Sequence, residues 1–128
     1  MLRRSILLLV GASLVALAGC RTAPIYDVIG APVVTTKPAT METVRSAITQ
    51  AGIGLGWRME TQGPGTIRGV LDLRTHHAVV EVTYDTKTYN IKYKDSTNLD
   101  YNGTSIHKNY NGWVENLDKA IRMQLANS

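Results

Sequence analysis

The chain has 128 residues, 44% hydrophobic and 19% charged, with a formal charge of +4, one cysteine and no phenylalanine. That length suits one compact domain, and a lone cysteine excludes both an intrachain disulfide and a thiolate metal site. No run of lysine and arginine with interleaved aromatics tracks a phosphate backbone, so no nucleic-acid partner is expected.

Arg3 and Arg4 precede an apolar run that begins at Ile6 and reaches Leu17-Ala18-Gly19-Cys20. The run is shorter than the roughly 20 residues of a membrane-spanning helix. A charged start, an apolar middle and small residues at its end mark a secretory signal. The plain reading of Cys20 is a free thiol beyond an ordinary cleavage site, yet a lone exposed thiol in an oxidising compartment is a reactive liability. Leu17-Ala18-Gly19-Cys20 resembles the lipobox of bacterial lipoproteins. That resemblance implies a signal peptide over residues 1–19, a diacylglyceryl group on the Cys20 sulfur and acylation of the new amino terminus. Stable anchoring takes two lipid chains at about 0.8 kcal/mol per buried CH₂, and three chains would hold the protein on its membrane lipid permanently. Without Arg3 and Arg4 the formal charge of +4 falls to +2, which is ordinary solubility.

Residues 20–38 follow, with Pro24, Pro32 and Pro38 among small and β-branched residues, and read as a lipidated cysteine and extended tether. Within it Val33-Val34-Thr35-Thr36 has the composition of an added edge strand. A single α+β domain over 39–128 is expected next. Its first helix starts at the capping hydroxyl of Thr40 and stops at Gly52, with Met41, Val44, Ile48 and Ala51 on one face.

From Leu55 the hydrophobic period becomes two. Trp57 to Thr61, Ile67 to Arg74, Ala78 to Tyr84 and Thr88 to Lys94 read as a four-stranded antiparallel meander, with Ile67, Gly69, Leu71 and Leu73 on its apolar face. A polar loop from Asp95 to His107 leads to a longer second helix ending near Leu125. Tyr110, Trp113, Val114, Leu117, Ile121 and Leu125 form its stripe, while Glu115, Asp118, Lys119 and Arg122 fall largely off it. Packing both helices on one sheet face buries all these stripes. With the edge strand, the order resembles the β-α-β4-α arrangement of TATA-binding-protein-like folds, an analogy of fold that carries no function.

The polar segment from Asp95 to Trp113 holds the densest set of functional groups. Ser96, His107 and either Asp95 or Asp100 could supply nucleophile, base and orienting carboxylate. The competing reading is structural: Asp, Ser and Asn make turns and caps, and Ser105 or Asn109 could cap the second helix. A third reading makes Ser96, Asn98, His107, Asn109 and Asn111 a surface for a ligand or partner. His76-His77 sits at a hairpin turn, where adjacent side chains point to opposite faces and cannot share one metal. The tyrosines from Tyr84 to Tyr110 could form a sugar-stacking platform, but the spacing of Tyr89 and Tyr93 about Ile91 places them in a core with hydroxyls at its rim. Gly52, Gly54 and Gly56 follow a helix instead of joining a strand to one, the wrong context for a dinucleotide phosphate loop. Neither metal nor cofactor is expected.

Gly56-Trp57, Gly63-Pro64-Gly65-Thr66-Ile67, Arg74-Thr75-His76-His77-Ala78, Tyr93 to Leu99 and Ile106-His107-Lys108-Asn109-Tyr110-Asn111-Gly112-Trp113-Val114 together resemble a family of small uncharacterised proteobacterial lipoproteins. The resemblance implies a Gram-negative envelope and no particular activity. Arg21 after the cysteine implies sorting to the outer membrane, with the domain facing the periplasm. The expected function is a non-enzymatic module that presents a sheet edge or the Asp95–Asn111 surface to an envelope protein. The alternatives are a binder of cell-wall glycan or another polar ligand and a small envelope hydrolase.

Overall fold

The computed structural model describes residues 21–128, so the signal and Cys20 lie outside the described residues. In chain order the elements are β1 (Thr22–Pro24), β2 (Val28–Pro32), α1 (Met41–Gly54), β3 (Arg58–Thr61), β4 (Thr66–Leu73), β5 (His76–Tyr84), β6 (Thr88–Thr97), β7 (Ser105–His107) and α2 (Lys108–Ala126). Two sheets form, a five-stranded one in the order β2-β6-β5-β4-β3 and a two-stranded one of β1 and β7. All pairings are antiparallel.

The α+β class and two helices agree with the sequence, and the strand arrangement differs. The edge strand is Val28–Pro32, not Val33–Thr36, and the segment read as a tether already contains two strands. Val28 and Ala31 are buried there against Ile91 and Tyr89. Gly30 and Pro32 look like strand breakers, but Gly30 takes a left-handed φ of 65° inside a bulge and Pro32 ends a strand on the sheet edge. The expected polar loop is shorter at both ends, since β6 runs on to Thr97 and β7 occupies Ser105–His107.

Thr40 caps α1 as expected, accepting from the Thr43 amide at 3.1 Å. The helix continues past Gly52 to Gly54, with Leu55 at its C-cap. Gly52 is buried instead of forming the cap, and a Cβ there would collide with the Met59 side chain of β3. Met41 lies at the exposed start of the helix rather than on its buried face. At the β3–β4 turn Gly65 has φ 77°, and a Cβ would stand 2.9 Å from the Tyr84 carbonyl oxygen, so glycine alone fits. Asp85 closes the β5–β6 turn by accepting the Lys87 and Thr88 amides, which holds its carboxyl below the usual range.

One face of the main sheet and both helices share one core, built from Val44, Ile48, Ile67, Val80, Ile91, Leu117 and Ile121 among others. Leu73, expected on that face, is 46% exposed beside the β4–β5 turn. Across the opposite face Glu60, Arg68, Glu81 and Lys92 stand in direct register on four neighbouring strands, alternating in charge. No helix among the described residues is long and apolar enough to cross a membrane.

Candidate functional site

The end of β6, the loop to β7 and the start of α2 carry the sequence-nominated residues, and their side chains serve separate tasks. Ser96 pairs with Ala78 on the core side of β6, and its hydroxyl lies 2.7 Å from the Tyr93 hydroxyl. Asp95 pairs with Val79 on the opposite side and accepts the Ser96 amide. A residue between Tyr93 and Asp95 is bulged, which re-aims this strand end. Consecutive strand residues point apart, so Asp95 does not orient a base for Ser96.

Asn98 takes a left-handed φ of 58°, and its amide donates to Thr75 Oγ1 at 2.7 Å. Its carbonyl lies 2.7 Å from His76 Nδ1, which ties the β4–β5 turn to this loop. His77 turns to the other face and meets Asp72 at 2.5 Å. The adjacent histidines therefore split as the sequence implied. Among the described residues, no group of three or more His, Cys, Asp or Glu side chains is arranged to hold a metal.

His107 is the N-cap of α2: its Nδ1 accepts the Asn109 amide at 3.1 Å. The cap is thus neither Ser105 nor Asn109, and the supposed general base is used to satisfy a helix end. An imidazolium carries a proton on both nitrogens and cannot accept this bond. Replacing His107 with alanine is expected to lower stability by about 1 kcal/mol, with His107→Asn retaining most of it. Urea denaturation checks this, and equal midpoints for all three proteins would contradict the cap.

Asn109 is exposed, and its backbone amide provides the capped group. Asn111 spans 85 residues to accept the Tyr26 amide at 3.0 Å and donates to the Pro24 carbonyl at 2.9 Å. It clamps the link between β1 and β2. Ser96, Asn98, His107 and Asn111 each hold a different piece of backbone or side chain, and they do not assemble into a nucleophile, base and orienting acid.

What does gather is aromatic. Tyr93 and Tyr101 stack with ring centres 4.1 Å apart, and Tyr110 meets Tyr93 edge-on at 5.7 Å. Beside them Tyr93 to Ser96 and Asn98 to Tyr101 line an open polar groove of about 710 Å³. Burial pushes the Tyr110 hydroxyl well above the usual range, and that hydroxyl has no hydrogen-bond partner. His76 lies 6.2 Å from His107 and 6.1 Å from Trp113, ring centre to ring centre.

Two groups escaped the sequence reading. Asp27, between β1 and β2, accepts the Tyr93 amide at 3.1 Å. Asp118, expected on the solvated side of α2, is only 4% exposed and accepts the Tyr89 hydroxyl at 2.5 Å while pairing with Arg122 at 2.9 Å. Tyr89 itself is fully buried, and its hydroxyl meets Asp118, which in turn pairs with the exposed Arg122. The spacing of Asp118 and Arg122 was the one available signal, since residues four apart meet on a helix.

No family model, curated protein or solved structure matches this chain.

Proposed function

We propose that this chain is an envelope lipoprotein, held by acylated Cys20 at the outer membrane and facing the periplasm, whose domain is a non-enzymatic interaction module for another envelope protein. One observation carries the reading: the groups that would do chemistry are spent on structure. His107 caps a helix, Ser96 meets Tyr93, and Asn111 clamps the β1–β2 link. Meanwhile β3 closes one side of the main sheet. The Gln62 amide donates to Thr66, and antiparallel alternation from that bond turns the amides and carbonyls of Met59 and Thr61 away from β4. Such an edge accepts an added strand, with backbone bonds supplying affinity.

A binder of cell-wall glycan or another small polar ligand is the second reading. It rests on the open groove beside Tyr93 and Tyr101. Two measurements separate the possibilities. Cys20→Ser is expected to abolish incorporation of labelled palmitate into the protein, and undiminished labelling would contradict the lipid anchor. Purified muropeptides are expected to leave the amide resonances of the domain unmoved. Saturable shifts confined to Tyr93, Ser96, Asn98 and Tyr101 would favour the glycan reading instead.

A further inference from the structure

We infer that the acylated chain sits directly on the bilayer, with lipid headgroups facing the end of the domain that carries Arg21, the Leu73–Arg74–Thr75 turn and Lys108. This inference rests on the lipid-anchor reading of Cys20.

There is no slack between lipid and fold. The Arg21 carbonyl accepts the Lys108 amide at 2.9 Å, and Thr22 is already paired with His107. Consecutive Cα atoms are about 3.8 Å apart, so the lipid-bearing residue stands one peptide step from backbone fixed to the start of α2. A free tether over residues 20–38 would have let the domain wander tens of ångströms. With the strands in place, the acyl chains and the domain share one attachment point.

Hydrogen bonds define which end faces the membrane. His76 and Thr75 bond to Asn98, His107 bonds to the Leu99 carbonyl, and Lys108 bonds to Arg21. The β4–β5 turn, the loop after β6 and the first turn of α2 therefore lie together around the attachment point. The other end gathers the β3–β4 and β5–β6 turns and the last residue, through Tyr84 to Gly65, Val33 to Lys87 and Thr36 to Ser128.

The near end has the chemistry of a headgroup-facing surface. Arg21, Arg74 and Lys108 are exposed there, and the carboxylates of Asp72 and Asp100 oppose them, Asp72 being engaged by His77. Leu73 is 46% exposed at the same end. Basic groups are attracted to anionic headgroups. The nine residues of β5 lead away from this end, a span of about 30 Å at the rise of a strand. The β3–β4 turn, and with it the Thr61 end of the open edge, is thereby held on the side away from the bilayer.

The test uses the full acylated chain in phosphatidylethanolamine–phosphatidylglycerol vesicles carrying a nitroxide-headgroup lipid. A fluorophore is placed at Arg74→Cys, Asn109→Cys, Gln62→Cys or Thr86→Cys, one at a time, with mass spectrometry of Cys20 for each. Quenching several-fold stronger at positions 74 and 109 than at 62 and 86 is the expected result. A flexible Gly/Ser insert between Cys20 and Arg21 is expected to remove most of that contrast. Acylated Cys20 with uniform quenching, or with stronger quenching at 62 and 86, overturns the docking inference alone. Absence of acyl mass on Cys20 overturns the anchor reading and this inference with it.

Discussion

Asp118→Ala is expected to lower the stability of the domain by about 3 kcal/mol, a fall of roughly 10–20 °C in Tm for a domain of this size. Asp118 is the one buried charged side chain among the described core positions. Its two oxygens have different partners, the Tyr89 hydroxyl on one and Arg122 on the other. The Arg122 side chain is 61% exposed and can return to water, so its ion pair contributes little. Tyr89 cannot, because it is fully buried between β6 and the helices. Removing the carboxylate takes the acceptor from a buried hydroxyl and leaves it beside the Arg122 guanidinium, which can donate to it but not accept from it, at a cost of about 1–3 kcal/mol. Asp118→Asn keeps an acceptor and is expected to cost about 1 kcal/mol. Urea denaturation of the three proteins, with Tyr89→Phe and the double variant to close a thermodynamic cycle, checks the pair. Additive losses from Asp118→Ala and Tyr89→Phe would show that the two side chains do not act together.

Alkaline unfolding is the second large effect. Burial is the main cause that pushes both the Tyr89 and Tyr110 hydroxyls far above the usual tyrosine range, and for Tyr89 the neighbouring Asp118 carboxylate adds to it. The unfolded chain releases these protons near pH 10 while the folded chain keeps them. Above that pH the unfolded state binds fewer protons, so stability falls as pH rises. Below it the contribution is fully present. The slope is about 1.4 kcal/mol per pH unit for each tyrosine, or near 3 kcal/mol per unit for the pair. The expected result is a cooperative loss of helical circular dichroism between about pH 11 and 13, coincident with a step in tyrosinate absorbance. Tyr110→Phe removes one of the two groups and is expected to shift the transition upward in pH. Ionisation of the buried pair with the helical signal intact would contradict their burial.

Much of the scaffold is legible along the chain because its signals are local. Val44, Ile48 and Ala51, and later Val114, Leu117, Ile121 and Leu125, repeat at helical spacing. The alternation through Ala78, Val80, Val82 and Tyr84 gives β5 directly. β2 is less legible because Gly30 and Pro32 are poor strand formers, and their tolerance depends on a bulge and an edge that only the pairing with β6 creates. β7 is three residues long and pairs with β1, more than 80 positions away, so no periodicity announces it. The candidate site divides in the same way. Its polar density between Asp95 and Trp113 is plain in the sequence, but the tasks of its members are set by distant partners. Asn111 reaches Tyr26 and Pro24, Asn98 reaches Thr75, and Asp118 reaches Tyr89. The capping role of His107 is not legible for a chemical reason: histidine is an uncommon helix cap, and its ring nitrogen accepts where Ser or Asn would normally do so.

The interaction-module account is tested most directly by photo-cross-linking in living cells. A photo-reactive residue at Thr61 on the open edge of β3 is compared with one at Ser96 beside the polar groove, both in the acylated chain. The account predicts a reproducible covalent adduct with an envelope protein from Thr61. It also predicts that Thr61→Pro, which removes an outward amide while leaving the pairing with β4, abolishes capture of that protein by a probe at Glu60. A folded, membrane-bound chain that captures no protein from Thr61 would contradict it.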